Sequence, residues 1–362
     1  MPSARGLSIG LGVIPPAIPP LRLDLDSHAL VANWRWFADA GGRAACGAAI
    51  KADGYGLGAR PVFARLADAG CRDFFVATWA EAEALGPMPE GFTLSVLHGV
   101  REEDMPAALA GPARPVLNSA AMVARWKAAG GRACDVMVDT GMNRLGLTPE
   151  EARSGLLDGL EIDTLLSHLA CADEPGHPMN EAQLFTFRSV KAAVPARRYS
   201  LANSAGICLG QRYVFGLTRP GLGLYGGVPG PAAEGKVQRV VRPYAQVLQV
   251  RIVPRGDTVG YGATFTAPAA MRVAVLNLGY ADGYLRAFGG GHGRALAGGA
   301  ACPVLGRVSM DLLAVDIGAA PDVAEGDWLE IDYDPLSVSA ETGLSQYELL
   351  TLLGGRYQRR WI

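Results

Sequence analysis

The chain has 362 residues, 49% of them hydrophobic and 19% charged, with a formal net charge of -2. That length exceeds one ordinary core and suggests two domains, and the apolar share excludes extensive disorder. The near-neutral balance provides no field to gather nucleic acid or an anionic membrane.

The opening MPSARGLSIGLGVIPPAIPP sets an apolar run behind a basic residue, and Pro15, Pro16, Pro19 and Pro20 then interrupt it. We read residues 1–20 as an N-terminal arm lying with the second domain rather than as a secretory signal. No apolar segment approaches the roughly 20 residues that span a bilayer. Six cysteines (Cys46, Cys71, Cys134, Cys171, Cys208, Cys302) are scattered without a CxxC pair, and five histidines add no zinc spacing. Reduced thiols, a cytoplasmic location and no metal are expected.

From 21 to 232, short apolar runs alternate with amphipathic stretches: AACGAAI then RPVFARLADAG, DFFVAT then AEAEALG, PVLN then SAAMVARWKAAGG, CDVMVDT then TPEEARSGL. Runs apolar on both faces read as parallel strands joined by helices, either an open doubly wound sheet or a barrel. Periodicity does not separate the two. The glycines after AAI come as DGYGLG, without the dinucleotide-binding spacing, which favours a (β/α)8 barrel of the TIM type. The Gly/Pro-rich stretch GGVPGPAAEG marks a boundary, and 233–362 reads as a mainly β domain.

Lys51 follows the apolar CGAAI, where an ammonium must reach solvent, pair or lose its charge. At the C-terminal end of a barrel strand it would lie on the face where sites are built, and a lysine of lowered pKa forms a Schiff base with an aldehyde. A strand-end lysine reaching water is the plainer alternative. VDTGMNRLG holds Arg144 in a turn after an apolar strand, and LLSHLACAD ends another strand with His168. By itself, His168 reads as a satisfied core histidine and Arg144 as a surface ion-pair residue. SLANSAG and TRPGLGLYG place Ser204 at a helix start and Gly221 in a tight turn, where backbone amides can receive a phosphate or simply cap the helix. VGYGATF, GYADGY and GRVSMD are turn motifs of the second domain. GGGHG reads as a surface loop, and the basic RYQRRW as a solvated terminus.

Taken in order from about residue 20 onward, AIKADGYG, VDTGMNRLG, SHLACAD, SLANSAG, TRPGLGLYG, VGYGATF, GYADGY and GRVSMD resemble alanine racemase, a family that uses pyridoxal 5'-phosphate. The resemblance implies a barrel followed by a β domain, in a homodimer whose sites combine the barrel of one chain with the β domain of the other. It implies that Lys51 holds the cofactor covalently, that Tyr55, Asn203, Ser204, Gly221 and Leu222 bind its phosphate side, and that Arg219 faces its pyridine nitrogen. His168 becomes the partner of the catalytic tyrosine and joins the cofactor-binding set. Tyr261, from the partner chain, and Lys51 are the two bases that exchange the Cα proton of alanine. Arg144 and the Met310 amide meet the substrate carboxylate, and Asp173, Tyr280, Arg286 and Arg307 match an entry corridor.

Two departures stand out. Met137 occupies a slot where many members carry a carbamate-modified lysine, so Arg144 must be held otherwise, by an anion or by Asn143. Gly355 stands where the family often has a tyrosine, and Tyr357 lies two positions on. The expected activity is racemisation of alanine, supplying D-alanine for peptidoglycan. A broader-specificity or serine racemase, or a non-catalytic cofactor-binding barrel, are the alternatives.

Overall fold

A computed structural model describes residues 18–362, so nearly all of the expected N-terminal arm lies outside the described residues. Seven short strands, Ala48–Ala49, Asp73–Val76, Thr93–Val96, Arg114–Leu117, Cys134–Met137, Ile162–Leu166 and Arg198–Ser200, lie side by side in sequence order, all parallel. Leu217–Thr218 closes the circle. It pairs with Ala45–Cys46, and the Thr218 carbonyl accepts from Gly47 N at 2.9 Å. Its other edge meets the seventh strand, with Gly216 N donating to Tyr199 O at 3.0 Å and Arg219 N to Ala202 O at 2.9 Å. The eight-stranded barrel expected from the βα rhythm is therefore closed, with no open edge left to cover.

The strands are largely apolar because both of their faces are covered; all five residues of Ile162–Leu166 are buried, Asp163 and Thr164 included. The intervening helices start on side-chain caps. Asp26 accepts from Ala29 N at 2.8 Å ahead of Ser27–Gly41, and Thr78 with Glu81 forms a capping box ahead of Trp79–Leu85.

The second domain is an antiparallel sheet built around the long strand Val241–Val253. That strand shifts register between Val247 and Gln249 and pairs with Met271–Leu276 beyond the shift, curling the eight-stranded sheet into a second, smaller barrel. Two placements depart from the sequence reading. Leu21–Leu25, grouped there with the first barrel, pairs instead with Val241–Val253 and with Gln358–Trp361. Leu21, Leu23 and Leu25 are buried in that sheet, and partners so distant in sequence leave no local trace. Nor is RYQRRW a solvated tail: it contains the strand Gln358–Trp361, and Arg360 grips Asp24 through two hydrogen bonds of 2.9 and 2.7 Å.

Candidate active site

At the C-terminal mouth of the first barrel the strand ends surround a cavity of about 490 Å³. Lys51, Tyr55, His168, Asn203, Ser204, Arg219, Gly221 and Leu222 line it together with Arg144. Residues from five separate sequence motifs thus converge at the place where barrels build their sites.

Lys51 begins a tight turn, Lys51–Tyr55, whose following residues are left-handed: Ala52, Asp53, Gly54 and Tyr55 have φ of 52, 51, 62 and 54°. For the non-glycine members this costs about 1–2 kcal/mol each. The turn presents the lysine while its backbone doubles back, with Gly54 N donating to Ile50 O at 2.8 Å. Burial first, then the charge of Arg144 and, behind it, Arg219, holds the Lys51 ammonium below its ordinary range against the opposing pull of Glu81.

Tyr55 stacks on Tyr225 with ring centroids 4.4 Å apart, and Tyr225 is itself anchored to Ala49 O at 2.8 Å. Opposite lies Gly221, where an added Cβ would overlap the Tyr55 hydroxyl. Ser204 Oγ accepts from Gly221 N at 2.9 Å and Gly223 N at 3.3 Å, while Asn203 caps the short helix Ser204–Cys208 by accepting from Gly206 N at 2.8 Å. Two hydroxyls and a row of amides are thereby gathered on one wall.

Arg219 is buried deeper. Its guanidinium donates to Ser200 Oγ and, at 2.5 Å, to Ser167 O. Burial pulls its pKa down to about 10, so it remains a cation at neutral pH. His168 is half-buried on the same wall; burial, then Arg219, Arg144 and Lys51, pushes its pKa down to about 3, so the imidazole is neutral. It is a cavity residue and not the core histidine that its local sequence suggested.

Arg144 is exposed, its backbone N held by Asp139 Oδ2 at 3.1 Å. Asn143, left-handed at φ 56°, turns its amide to Gly141 O at 3.4 Å and offers nothing to the guanidinium, which has no ion-pair partner among the described residues. Met137 is buried against Val116 and Leu166, an apolar contact in the slot where a carbamate would be polar. At Gly355 an added Cβ would meet open space, and Tyr357 is buried in the sheet domain, away from the cavity lining.

Tyr261 and Met310 do not line this cavity. They sit on one rim of the sheet domain, 71% and 53% exposed. That rim is built by close backbone approaches: a Cβ at Gly306 would lie 2.6 Å from Val259 O, and Ala281 N donates to Met310 O at 3.0 Å. Arg307 packs against Gly262, and the Arg286 guanidinium lies 5.5 Å from the centre of the Tyr280 ring. Asp173 lies beside a second hollow of about 370 Å³ that shares His168, Asn203 and Leu222 with the first.

Several supporting residues escaped the sequence reading. Gln183, fully buried, donates to His168 O at 2.9 Å and Thr140 Oγ1 at 3.2 Å and accepts from Ala170 N at 2.8 Å. Thr140 in turn bonds Ser167 Oγ at 2.8 Å, so the network fixes the carbonyl that orients Arg219. A glutamine within a helical period gives no local sign of such a duty.

The cavity lining carries Lys51, Arg144 and Arg219 but a single acid, Asp139, which is occupied by Gly141 N at 2.8 Å and Arg144 N. Such a surplus of cation and donor is suited to an anionic guest bearing a group that an amine can attack. Among the described residues no helix is long and apolar enough to cross a membrane.

Comparison with known proteins agrees with this chemistry. Residues 25–229 match the family model "Alanine racemase, N-terminal domain" and residues 240–361 "Alanine racemase, C-terminal domain". A Methylobacterium nodulans protein named alanine racemase is 44% identical, covering 94% of this chain and 96% of its own. An Agrobacterium fabrum protein named "Alanine racemase, catabolic" is 41% identical, over 94% of this chain and 92% of its own. The crystal structure of alanine racemase from Bartonella henselae, with covalently bound pyridoxal phosphate, superposes with a TM-score of 0.88 at 34% identity, over 96% of this chain and all of that one. The two family domains together span the chain almost from end to end, and it belongs to the alanine racemase family of isomerases.

Proposed function

We propose that this chain interconverts L- and D-alanine with pyridoxal 5'-phosphate held covalently by Lys51. The observation that carries the reading is that Lys51, the one lysine lining the cavity among the described residues, is depressed in pKa and shares that cavity with Tyr55, Ser204 and Gly221. Tyr55, Ser204 and the amides around Gly221 and Leu222 would hold the phosphate. Gly221 suits that duty because its missing side chain brings the backbone against Tyr55. When bound, the cofactor supplies an electron sink for the pair left behind when Cα loses its proton.

Arg219, cationic near neutrality and fixed by Ser200 and Ser167, would face the cofactor's ring nitrogen and disfavour its protonation. Racemisation requires removing a proton on one face of Cα and delivering one on the other. Lys51 Nζ, its proton affinity lowered by burial and Arg144, would serve one face. The phenol of Tyr261 of the partner subunit serves the other, and His168 accepts or donates a hydrogen bond to that phenol. Arg144 and the Met310 amide of the partner subunit orient the substrate carboxylate.

The exposure of Tyr261 and Met310 on one rim supports a homodimer in which each rim covers the other chain's cavity. In this reading the enzyme works in the cytoplasm and its D-alanine supplies peptidoglycan.

Chiral analysis of L-alanine incubated with enzyme and cofactor tests the proposal. Lys51→Ala should lose the visible absorption of bound cofactor and about a thousandfold in rate, and Tyr261→Phe should keep the absorption but lose about a hundredfold. Parental racemisation by either variant would overturn the two-base assignment.

A further inference from the structure

The left-handed turn that carries Lys51 is strained, and something must hold it. Its two ends are gripped by side chains that lie outside the cavity lining and come from different domains. At the start, Glu81 Oε1 accepts from Ala52 N at 2.8 Å, next in chain to the lysine. The same carboxylate, through Oε2, accepts from Ala77 N at 2.6 Å and Thr78 N at 3.3 Å, at the end of the neighbouring strand. One charged group thus ties the lysine turn to the barrel wall.

At the other end Arg359, on the last strand of the sheet domain, donates from Nε to Gly56 O at 2.8 Å. Its remaining fork donates to Leu353 O at 3.0 Å and Gly354 O at 3.1 Å, so the guanidinium is itself fixed. Gly56, at φ 82°, sits so close to the sheet domain that an added Cβ would be 2.9 Å from Leu350 O. Between the grips the turn is braced from within by Asp53 Oδ1, which accepts from Ala59 N at 2.7 Å.

We infer that Glu81 and Arg359 are positioning residues that clamp the Lys51 turn from its two ends, so that the sheet domain of a chain helps aim the amine in that same chain's barrel. This rests on the reading of Lys51 as the cofactor lysine. Neither side chain touches the reacting atoms; both act through backbone, Glu81 on an amide and Arg359 on a carbonyl. Charge-assisted bonds of this kind are the stronger class, and losing one frees a turn whose relaxed conformation is right-handed.

The test uses the full chain and two readouts. One is cofactor affinity, followed by visible absorbance as pyridoxal 5'-phosphate is added. The other is amide hydrogen exchange over residues 51–58 before any cofactor is added. Glu81→Ala and Arg359→Ala should each weaken affinity about tenfold and speed exchange over 51–58 by a similar factor, while Ser27–Gly41 exchanges as in the parent. Glu81→Gln and Arg359→Lys, which keep part of each grip, should recover part of both. Arg360→Ala, which loses only the Asp24 pair, should leave affinity and turn exchange at parental values.

Parental affinity and turn exchange in both alanine variants would overturn the clamp. So would faster exchange spread evenly over the barrel, which marks a general structural role; where an alanine variant does not fold, the two conservative variants decide by the same criteria. Should the parent itself take up no cofactor, the functional reading fails, and the exchange readout still decides the clamp.

Discussion

The two ends of the first barrel treat charge in opposite ways. At the N-terminal end, acids and bases cross the interior and neutralise one another: Arg114 reaches Asp163 at 2.9 Å, Arg198 reaches Asp73 at 2.7 Å and Asp163 at 3.0 Å, and Thr93 closes on Asp73 at 2.7 Å. Arg114–Asp163 and Arg198–Asp73 join strands that are not neighbours, so they plug the barrel. At the C-terminal end the cations of the cavity meet one acid already engaged by backbone. Matched charge makes structure, and unmatched charge marks where a ligand is to complete it.

The sharpest way to break this contrast is to disturb the plug. Burial would raise the Asp163 carboxyl, but Arg114 and hydrogen bonds from Arg197 and Arg198 outweigh it and hold its pKa at about 2. Asp163→Ala removes the buried Arg114 guanidinium's ion-pair partner and one of the two acids that hold Arg198, and should cost about 3–5 kcal/mol in denaturant unfolding, with kcat unchanged for the molecules that remain folded. Because the folded pKa is depressed, the contribution of Asp163 is present above its unfolded value near 4 and is lost as pH falls toward 2.

At the cavity end the expected changes are in binding. Gly221→Ala drives a methyl into the Tyr55 hydroxyl and should weaken cofactor affinity by about 1–3 kcal/mol, read by titration, while unfolding in the absence of cofactor moves less.

A comparable effect, confined to the acid side, concerns His168. Its folded pKa of about 3 lies below the unfolded value near 6.5, so the unfolded chain takes a proton that the folded chain refuses. Stability is therefore full above pH 6.5 and falls as pH drops toward 3. Replacing it, as His168→Asn, should flatten the acid side of the stability profile between pH 6.5 and 4 by roughly 1–3 kcal/mol. An unchanged slope would mean that the cavity leaves this imidazole free to take a proton.

Much of the site was legible because its residues break local rules. A lysine after CGAAI, an arginine before a proline and glycines in TRPGLGLYG are conspicuous where apolar strands end, and the structure gathers them at one mouth. Residues that obey local rules were silent. Glu81 lies unmarked in the amphipathic AEAEALG and Gln183 within a helix, yet each gives polar atoms to a distant strand end. The same holds for the fold: the βα rhythm is local and was read correctly, whereas Leu21–Leu25 is assigned by pairing alone, and its alternation suits either domain. Arg359 passed for a solvated charge because only the third dimension brings it to Gly56.

That early strand has a consequence for how the molecule is made. Leu21 pairs with Ala245 and Arg22 with Gln358, so a leucine-rich ribbon leaves the ribosome long before anything it can pair with. The barrel between can round up on its own contacts, while the ribbon stays bare until synthesis is nearly done. Nascent chains should thus be most prone to sticking together late in translation, after the first barrel has formed and before its companion has found both of its edges.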